Sequence, residues 1–355
     1  MKLERFGYND KIDKLRIQHD LSNFEIGRVI SEHKERYIVK TEKGEFDAEI
    51  TGNLRYTART REDFPAVGDW VAISEYDENK VLIHSIVPRK TIIARQAVGK
   101  QGEKQIIATN IDFAFIVQAV DNNFNINRLE RYLTICNASH VKPIIVLNKI
   151  DLINDTALTA LMKEIQKRVK QVPIISISNK SKKGIEGLNE YIVMGKTYCL
   201  LGSSGVGKSS LLNNLSGKQL MKTNTISAST NKGRHVTSHR ELIVLENGGI
   251  IIDNPGTREV GIADSVGGLD KTFEKLIELA KNCRFKDCTH TIEVDCAVIA
   301  AVQHKKMDKL FYENYIKMKR EKEHFESTVA EKRKKDKDFG KMVKQFKNLK
   351  NSDKY

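Results

Sequence analysis

At 355 residues the chain is long enough for two or three domains, and at 40% hydrophobic residues it can bury a core in each. It has no apolar run long enough to span a membrane, and its N-terminal MKLERFGYND lacks the apolar stretch of a secretory signal, which predicts a cytoplasmic protein. Half of the net charge of +14 lies from Lys317 to Tyr355, where 14 Lys and Arg stand against 7 Asp and Glu, a balance of +7; this suits either a polyanionic partner such as nucleic acid or a solvated helix.

Residues 1–20 are polar and mixed in charge, and read as an arm or a short helix. From residue 21 the pattern alternates with a period of two. EIGRVI (25–30), RYIVKT (36–41), EFDAEI (45–50), GDWVAI (68–73) and KVLIHSI (80–86) predict short strands separated by Gly, Asp or Asn. That density of strands predicts a small barrel of the OB or SH3-like type. Tyr37 and Trp70 would be its core, or alternatively stacking platforms for bases. Residues 91–110 read as a connector with a Gly/Lys-rich middle.

The pattern then changes to continuous apolar runs at 111–120, 142–149, 172–178 and 196–202, as in buried parallel strands. Helical periodicity falls between them, at 126–139, 155–170 and 185–194. RELIVLENGGIIID (240–253) predicts a hairpin turning at Asn247-Gly248-Gly249. The central region is therefore a doubly wound α/β domain, and the chain looks helical from about residue 262.

The most specific motif is GSSGVGKS, residues 202–209, between a predicted strand and a predicted helix. Gly202, Ser203, Ser204, Gly205, Val206 and Gly207 would wrap their backbone N–H groups around phosphate oxygens at a helix N-terminus, with Ser210 in the first turn. Lys208 would reach the β and γ phosphates, and the Ser209 hydroxyl would ligate Mg2+. Asn148-Lys149-Ile150-Asp151 closes an earlier apolar strand. Alone it is a weak match, equally a strand-to-helix N-cap. Beside a phosphate loop it reads as guanine recognition: Asp151 accepts from two base N–H groups that adenine lacks, Asn148 braces the loops and the Lys149 stem lies along the base. Hydrogen-bond readout of this kind can discriminate by ~10⁴-fold. Ser178, Asn179 and Lys180 close the next strand and suit the loop that meets guanine O6, with Gly184, Ile185 and Leu188 following.

Asp253-Asn254-Pro255-Gly256 ends the hairpin. Asp253 would hold Mg2+ through water, and the Gly256 N–H would meet the γ-phosphate. Thr257 stands where Ras-like enzymes carry the glutamine that orients water, so either intrinsic hydrolysis is slow or another residue must serve. Between phosphate loop and hairpin lies SASTNKGRHVTSHREL (227–242), polar and Thr-rich like a switch loop. Thr237 is the candidate second Mg2+ ligand, ahead of Thr230 and Ser238. His235 is the candidate for positioning water, since neutral imidazole accepts a hydrogen bond near pH 7; the competing reading is a phosphate contact to a partner RNA. The motifs run guanine loop, phosphate loop, switch I, switch II, a complete set in rotated order. Such loops all sit at the C-terminal ends of strands in one sheet, so one circularly permuted GTPase site is predicted.

Of the five cysteines, Cys136 and Cys199 sit alone in apolar stretches and read as buried thiols. Cys283, Cys288, His290 and Cys296 supply three thiolates and an imidazole, the ligand set of a closed structural Zn2+ site; the alternative is three unrelated cysteines. His304 and His324 lie outside that window.

The rotated order, the barrel ahead of it and the Cys-Cys-His-Cys cluster behind it resemble the bacterial small-subunit-dependent GTPase family RsgA. VGDWV (67–71), LERYL (129–133), GRHVTSHREL (233–242) and DNPGTREVGI (253–262) add to the match, which covers roughly residues 22–325. Asn179, Ser238 and Asn254 depart from the family pattern at variable positions, and the basic tail is not a constant family feature. The resemblance implies an N-terminal OB-fold RNA-binding domain (21–92), a permuted GTPase domain (93–262) and a mainly helical zinc-binding domain (263–325), which the residue pattern brackets with an arm (1–20) and a basic tail (326–355). It implies GTP/GDP, Mg2+ and one structural Zn2+ as cofactors. It also implies a GTP hydrolase with the switch I His235 in hydrolysis, stimulated by the small (30S) ribosomal subunit and its rRNA, and acting late in subunit assembly; the motifs add Lys208 and Thr237 to the catalytic set, and a monomer is expected. Two further readings compete: an RNA-binding scaffold with a vestigial nucleotide site, and a P-loop ATPase or kinase, which the Asn148/Asp151 loop disfavours.

Overall fold

In a computed structural model, residues 2–33, 36–96, 104–220, 240–253 and 267–327 are described. The N-terminal segment forms a 3-10 turn, Leu3–Phe6, and helix α1, Asp10–Gln18, capped by the Asn9 side chain. Leu3 and Phe6 are buried, which anchors this segment to the core. The barrel follows as β1 (Glu25–His33), β2 (Arg36–Lys40), β3 (Glu45–Ile50), α2 (Gly52–Thr57), β4 (Trp70–Asp77) and β5 (Lys80–Ile86). The β3 residues alternate strictly between exposed and buried. β1 pairs with both β2 and β4, and β3 lies parallel to β5, which closes the ring in the order β1-β2-β3-β5-β4. This is the expected closed barrel of the OB type. Tyr37 and Trp70 are both only 2% exposed, so they belong to the core and not to a stacking surface.

The region 91–110 departs from the expectation of a plain connector. β6 (Ile92–Gln96) and β7 (Lys104–Thr109) form an antiparallel hairpin, with Ile93, Ile107 and Ala108 buried. Two apolar strands flanking a Gly-containing segment bury more surface paired than strung out.

The α/β domain comprises β8 (Phe113–Ala119), α3 (Ile126–Ala138), β9 (Lys142–Asn148), α4 (Asp155–Arg168), β10 (Ile174–Ser176), α5 (Ile185–Asn189), β11 (Thr197–Leu201), α6 (Lys208–Ser216), β12 (Arg240–Val244) and β13 (Ile250–Asp253). β10, β9, β8, β11 and β13 run parallel in that spatial order, and β12 is antiparallel to β13. α5 is shorter than its periodicity suggested. The Tyr198 hydroxyl takes the Val193 N–H at 2.9 Å and donates to the Tyr191 carbonyl at 2.6 Å, which fixes a non-helical exit. Buried Phe115, Val117, Leu200 and Leu211 pack one face of the sheet, and Ile116, Leu129, Ile145 and Ile165 the other.

β12 also pairs with β1, through Ser31 opposite Glu241 and Glu32 opposite Arg240. Barrel and α/β sheet are thus one continuous eleven-stranded sheet among the described residues. Arg28 fills the seam. It is 1% exposed, and its guanidinium donates to the Gly68 carbonyl, the Phe6 carbonyl and the Thr197 hydroxyl. Burial lowers its pKa to about 10, with Asp112 and Asp69 pulling the other way.

The C-terminal helices are α7 (Gly268–Thr272), α8 (Glu274–Ala280), α9 (Ala297–Gln303) and α10 (Lys309–Glu326). Their own core gathers Phe273, Leu276, Val298, Phe311 and Tyr315. Among the described residues no helix is long and apolar enough to cross a membrane.

Candidate nucleotide site and metal centre

The ends of the parallel strands bring the upstream and downstream motifs together. Asn148, the last residue of β9 and 1% exposed, donates from Nδ2 to the Val206 carbonyl at 2.7 Å. Its Oδ1 accepts the Asn179 N–H at 3.2 Å. Asn179 in turn donates from Nδ2 to the Gly207 carbonyl at 2.9 Å and is held by Asn214 of α6 at 3.0 and 3.2 Å. Two loops that precede the phosphate loop in sequence are therefore hydrogen-bonded onto it. Gly207 has φ +98°, and a Cβ there would lie 2.3 Å from Asn148 Nδ2, so glycine is required by both backbone and neighbour.

Gly202–Gly207 link β11 to α6, and Lys208 and Ser209 open that helix, with Ser210 behind them. Lys208 is buried, and its ammonium donates to the Gly202 and Ser203 carbonyls at 2.7 and 2.9 Å, which holds it across the loop. Burial lowers its pKa to about 8 against the opposing charge of Asp253. Asp253, 2% exposed, ends β13 on the neighbouring strand.

Ser178 is fully buried, and its hydroxyl donates to Asp151 Oδ1 at 2.5 Å while accepting the Ser181 N–H at 3.1 Å. Asp151 is exposed at the site, with that one oxygen fixed. Lys180 is exposed beyond it. Lys149 adopts the left-handed backbone, φ +65°, and its ammonium pairs with Asp121 at 2.8 Å. Burial pushes the Asp121 carboxyl up, but Lys149 and the Asn123 N–H outweigh it and hold its pKa below the ordinary value. His235, Thr237 and Gly256, with Thr230, Ser238, Asn254 and Thr257, lie outside the described residues.

Cys283, Cys288, His290 and Cys296 converge, with all four ligand atoms within 4.8 Å of one another. Cys283 Sγ stands 3.8 Å from Cys296 Sγ, and His290 Nδ1 stands 3.6 and 3.5 Å from those two sulfurs. Tetrahedral Zn–S bonds of ~2.3 Å require sulfurs about 3.8 Å apart, so the donor set fits that ion. Tyr312 donates to the His290 carbonyl at 2.7 Å and fixes the loop. Burial, then the charge of Lys319, lowers the His290 pKa, which favours the neutral imidazole a metal needs. His304 and His324 are exposed and take no part. Cys136 and Cys199 are fully buried free thiols; burial pushes Cys136 up to about 12 and Cys199 well above the ordinary thiol range.

Sequence comparison matches residues 86–263 to the RsgA GTPase profile. The small ribosomal subunit biogenesis GTPase RsgA 1 of Bacteroides thetaiotaomicron is 40% identical over 349 residues, 98% of this chain and 97% of that protein. The chain belongs to the RsgA GTPase family.

The small ribosomal subunit biogenesis GTPase RsgA 2 of Lactiplantibacillus plantarum is 43% identical over 83% of each chain. Among solved structures, YjeQ from Thermotoga maritima superposes with a TM-score of 0.59 at 25% identity, over 84% of this chain and 98% of that one. A second profile, described as a 50S ribosome-binding GTPase, matches only residues 197–332. It starts at β11, just before the phosphate loop, and leaves the guanine loops outside, as the permuted order of RsgA requires.

Sequence reasoning missed three contacts of this RsgA site. Asp121 follows β8 at the C-terminal edge of the sheet, a place where a carboxylate is worth singling out. Asn214 and Arg128 carried no signal: Arg128 Nη1 donates to Ser203 Oγ at 3.0 Å, across 75 residues of sequence.

Proposed function

We propose that this RsgA family member is a GTP hydrolase that binds the small ribosomal subunit, and that hydrolysis is coupled to late subunit maturation and to its own release. The observation that carries the reading is the Asn148–Val206 and Asn179–Gly207 cross-link, which makes one site of motifs separated and rotated in sequence. Asp151 and Ser178 read guanine. Lys208 and the loop amides hold the phosphates, and Ser209, Thr237 and Asp253 hold Mg2+. His235 positions the attacking water in the complex with the subunit. The barrel and the basic tail meet rRNA through salt-dependent phosphate contacts. Cys283, Cys288, His290 and Cys296 hold one Zn2+ that shapes the C-terminal domain without entering the chemistry. The protein acts in the cytoplasm as a monomer, with domain boundaries near residues 20, 92, 262 and 325.

The test is GTP turnover with and without small subunits at fixed moderate salt, beside His235→Ala. Stimulation that the variant loses, with binding to the subunit retained, supports the reading. Absence of stimulation by a subunit that does bind would leave a GTP-regulated RNA-binding module.

A further inference from the structure

The LERYL segment, 129–133, is used by nothing in the nucleotide chemistry, yet it lies on α3 directly behind Arg128. Its two charged residues face the C-terminal domain. Arg131 makes a bidentate pair with Glu321 of α10, at 2.6 and 2.7 Å. Glu130, 1% exposed, accepts from Asn314 of α10 at 2.6 Å and from Arg168 at 3.4 Å. Arg168 continues to Asp308, the N-cap of α10, at 2.6 Å. Further along α3, Asn137 donates to Thr272 at 3.0 Å, and a Cβ on Gly268 would lie 2.5 Å from the Thr134 carbonyl, so α7 packs without a gap.

One turn before these contacts, the same helix ends on the nucleotide site. Asn125 caps α3, and Arg128 donates both to Ser203 Oγ at 3.0 Å and to the Asn123 carbonyl at 3.4 Å. Ser203 is also the residue whose carbonyl receives the Lys208 ammonium. A helix of 13 residues is stiff, so any shift of α10 that drags Arg131 displaces the Arg128 guanidinium too. Moving a charge-assisted donor off the loop changes the position of Ser203 and, through its carbonyl, of Lys208.

We infer that Arg128 is a positioning residue of the phosphate loop, through which the seating of the C-terminal domain on α3 sets the lifetime of bound guanine nucleotide. The inference rests on the nucleotide reading above. Contact of that domain with a partner would then be felt at the phosphate loop.

The test is a double-mutant cycle on the full chain, read as the dissociation rate of fluorescent GDP: wild type, Arg128→Ala, Glu321→Ala and the pair. Each single change is expected to speed release by about fivefold or more, the lower end of coupling between linked sites. The pair should release no faster than the faster single, because both act through one connection. The exchange Arg131→Glu with Glu321→Arg should bring the rate back towards wild type, which a loss of general stability would not do. If Glu321→Ala unfolds the C-terminal domain by circular dichroism, Arg131→Lys, which keeps the charge but not the bidentate pair, takes its place. Release insensitive to the α10 contact, or two effects that multiply, overturns the inference while leaving GDP binding intact. A wild-type chain that does not bind GDP overturns the nucleotide reading as well.

Discussion

Asn179 shows what a single amide can add to a nucleotide site. The guanine loop needs only a backbone N–H at this position. Here the side chain also spans from Gly207 to Asn214, so the guanine loop, the phosphate loop and α6 share one set of hydrogen bonds. In the proposed function Asp151 selects the base. Asp151→Asn replaces an acceptor with a donor opposite the guanine N–H groups. It should cut GTP affinity by about two to four orders of magnitude and favour xanthosine nucleotides, measured as equilibrium binding of both. Unchanged GTP binding would remove the guanine assignment. Gly207→Ala faces both a left-handed backbone and a carbon 2.3 Å from Asn148 Nδ2. It should weaken GDP binding by at least about tenfold, since a strained φ alone costs on the order of 1–3 kcal/mol. Gly52→Ala, which meets nothing within 4 Å, is the matched control.

At the scale of elements, α3 is the contact strip between two domains, and a buried carboxyl lies within it. Burial pushes Glu130 from the ordinary 4.5 up to about 7, although Asn314 and Arg168 favour the ionised form. The sign follows from linkage. Between about 4.5 and 7 the folded protein keeps a proton that the unfolded chain releases, so this group's contribution to stability falls as pH rises through that window. Glu130→Gln cannot lose that proton. Its stability relative to wild type should therefore increase from pH 5 to pH 8, read by urea unfolding at each pH; a constant difference would mean an ionised Glu130 throughout. Packing of α7 on α3 is equally testable. Gly268→Ala places a carbon 2.5 Å from the Thr134 carbonyl and should cost about 1–3 kcal/mol as overpacking. The β6–β7 hairpin is an element whose signal was present in sequence: two apolar triplets on either side of a segment whose Gly/Lys-rich composition reads as a linker.

At the scale of the molecule, the C-terminal domain has a small core beside its Cys/His cluster. Removing metal with a chelator should open residues 283–327 to proteolysis while the barrel and the α/β domain stay protected. Resistance unchanged after metal removal would show a core sufficient by itself. The barrel is bound differently, by main-chain pairing of β1 with β12 and by Arg28 reaching Thr197. Barrel and α/β sheet should accordingly lose hydrogen-exchange protection together and not as separate units.

The chemistry of this protein was legible in the sequence because it is written locally. A phosphate loop needs glycines and a lysine within eight positions, and the guanine loop needs four. The cluster from Cys283 to Cys296 needs one short stretch. Strand and helix periods placed those motifs at strand ends, and their rotated order was enough to infer one permuted site. What only the tertiary structure decided are contacts between distant residues with no periodic or motif signature. Arg128 meets Ser203 across 75 positions, Arg131 meets Glu321 across 190, and β1 meets β12 across more than 200. A guanidinium can serve any carboxylate or carbonyl within reach, and an edge strand any complementary edge. Packing of the whole chain selects which partner is there, and so joins three locally encoded domains into one connected molecule.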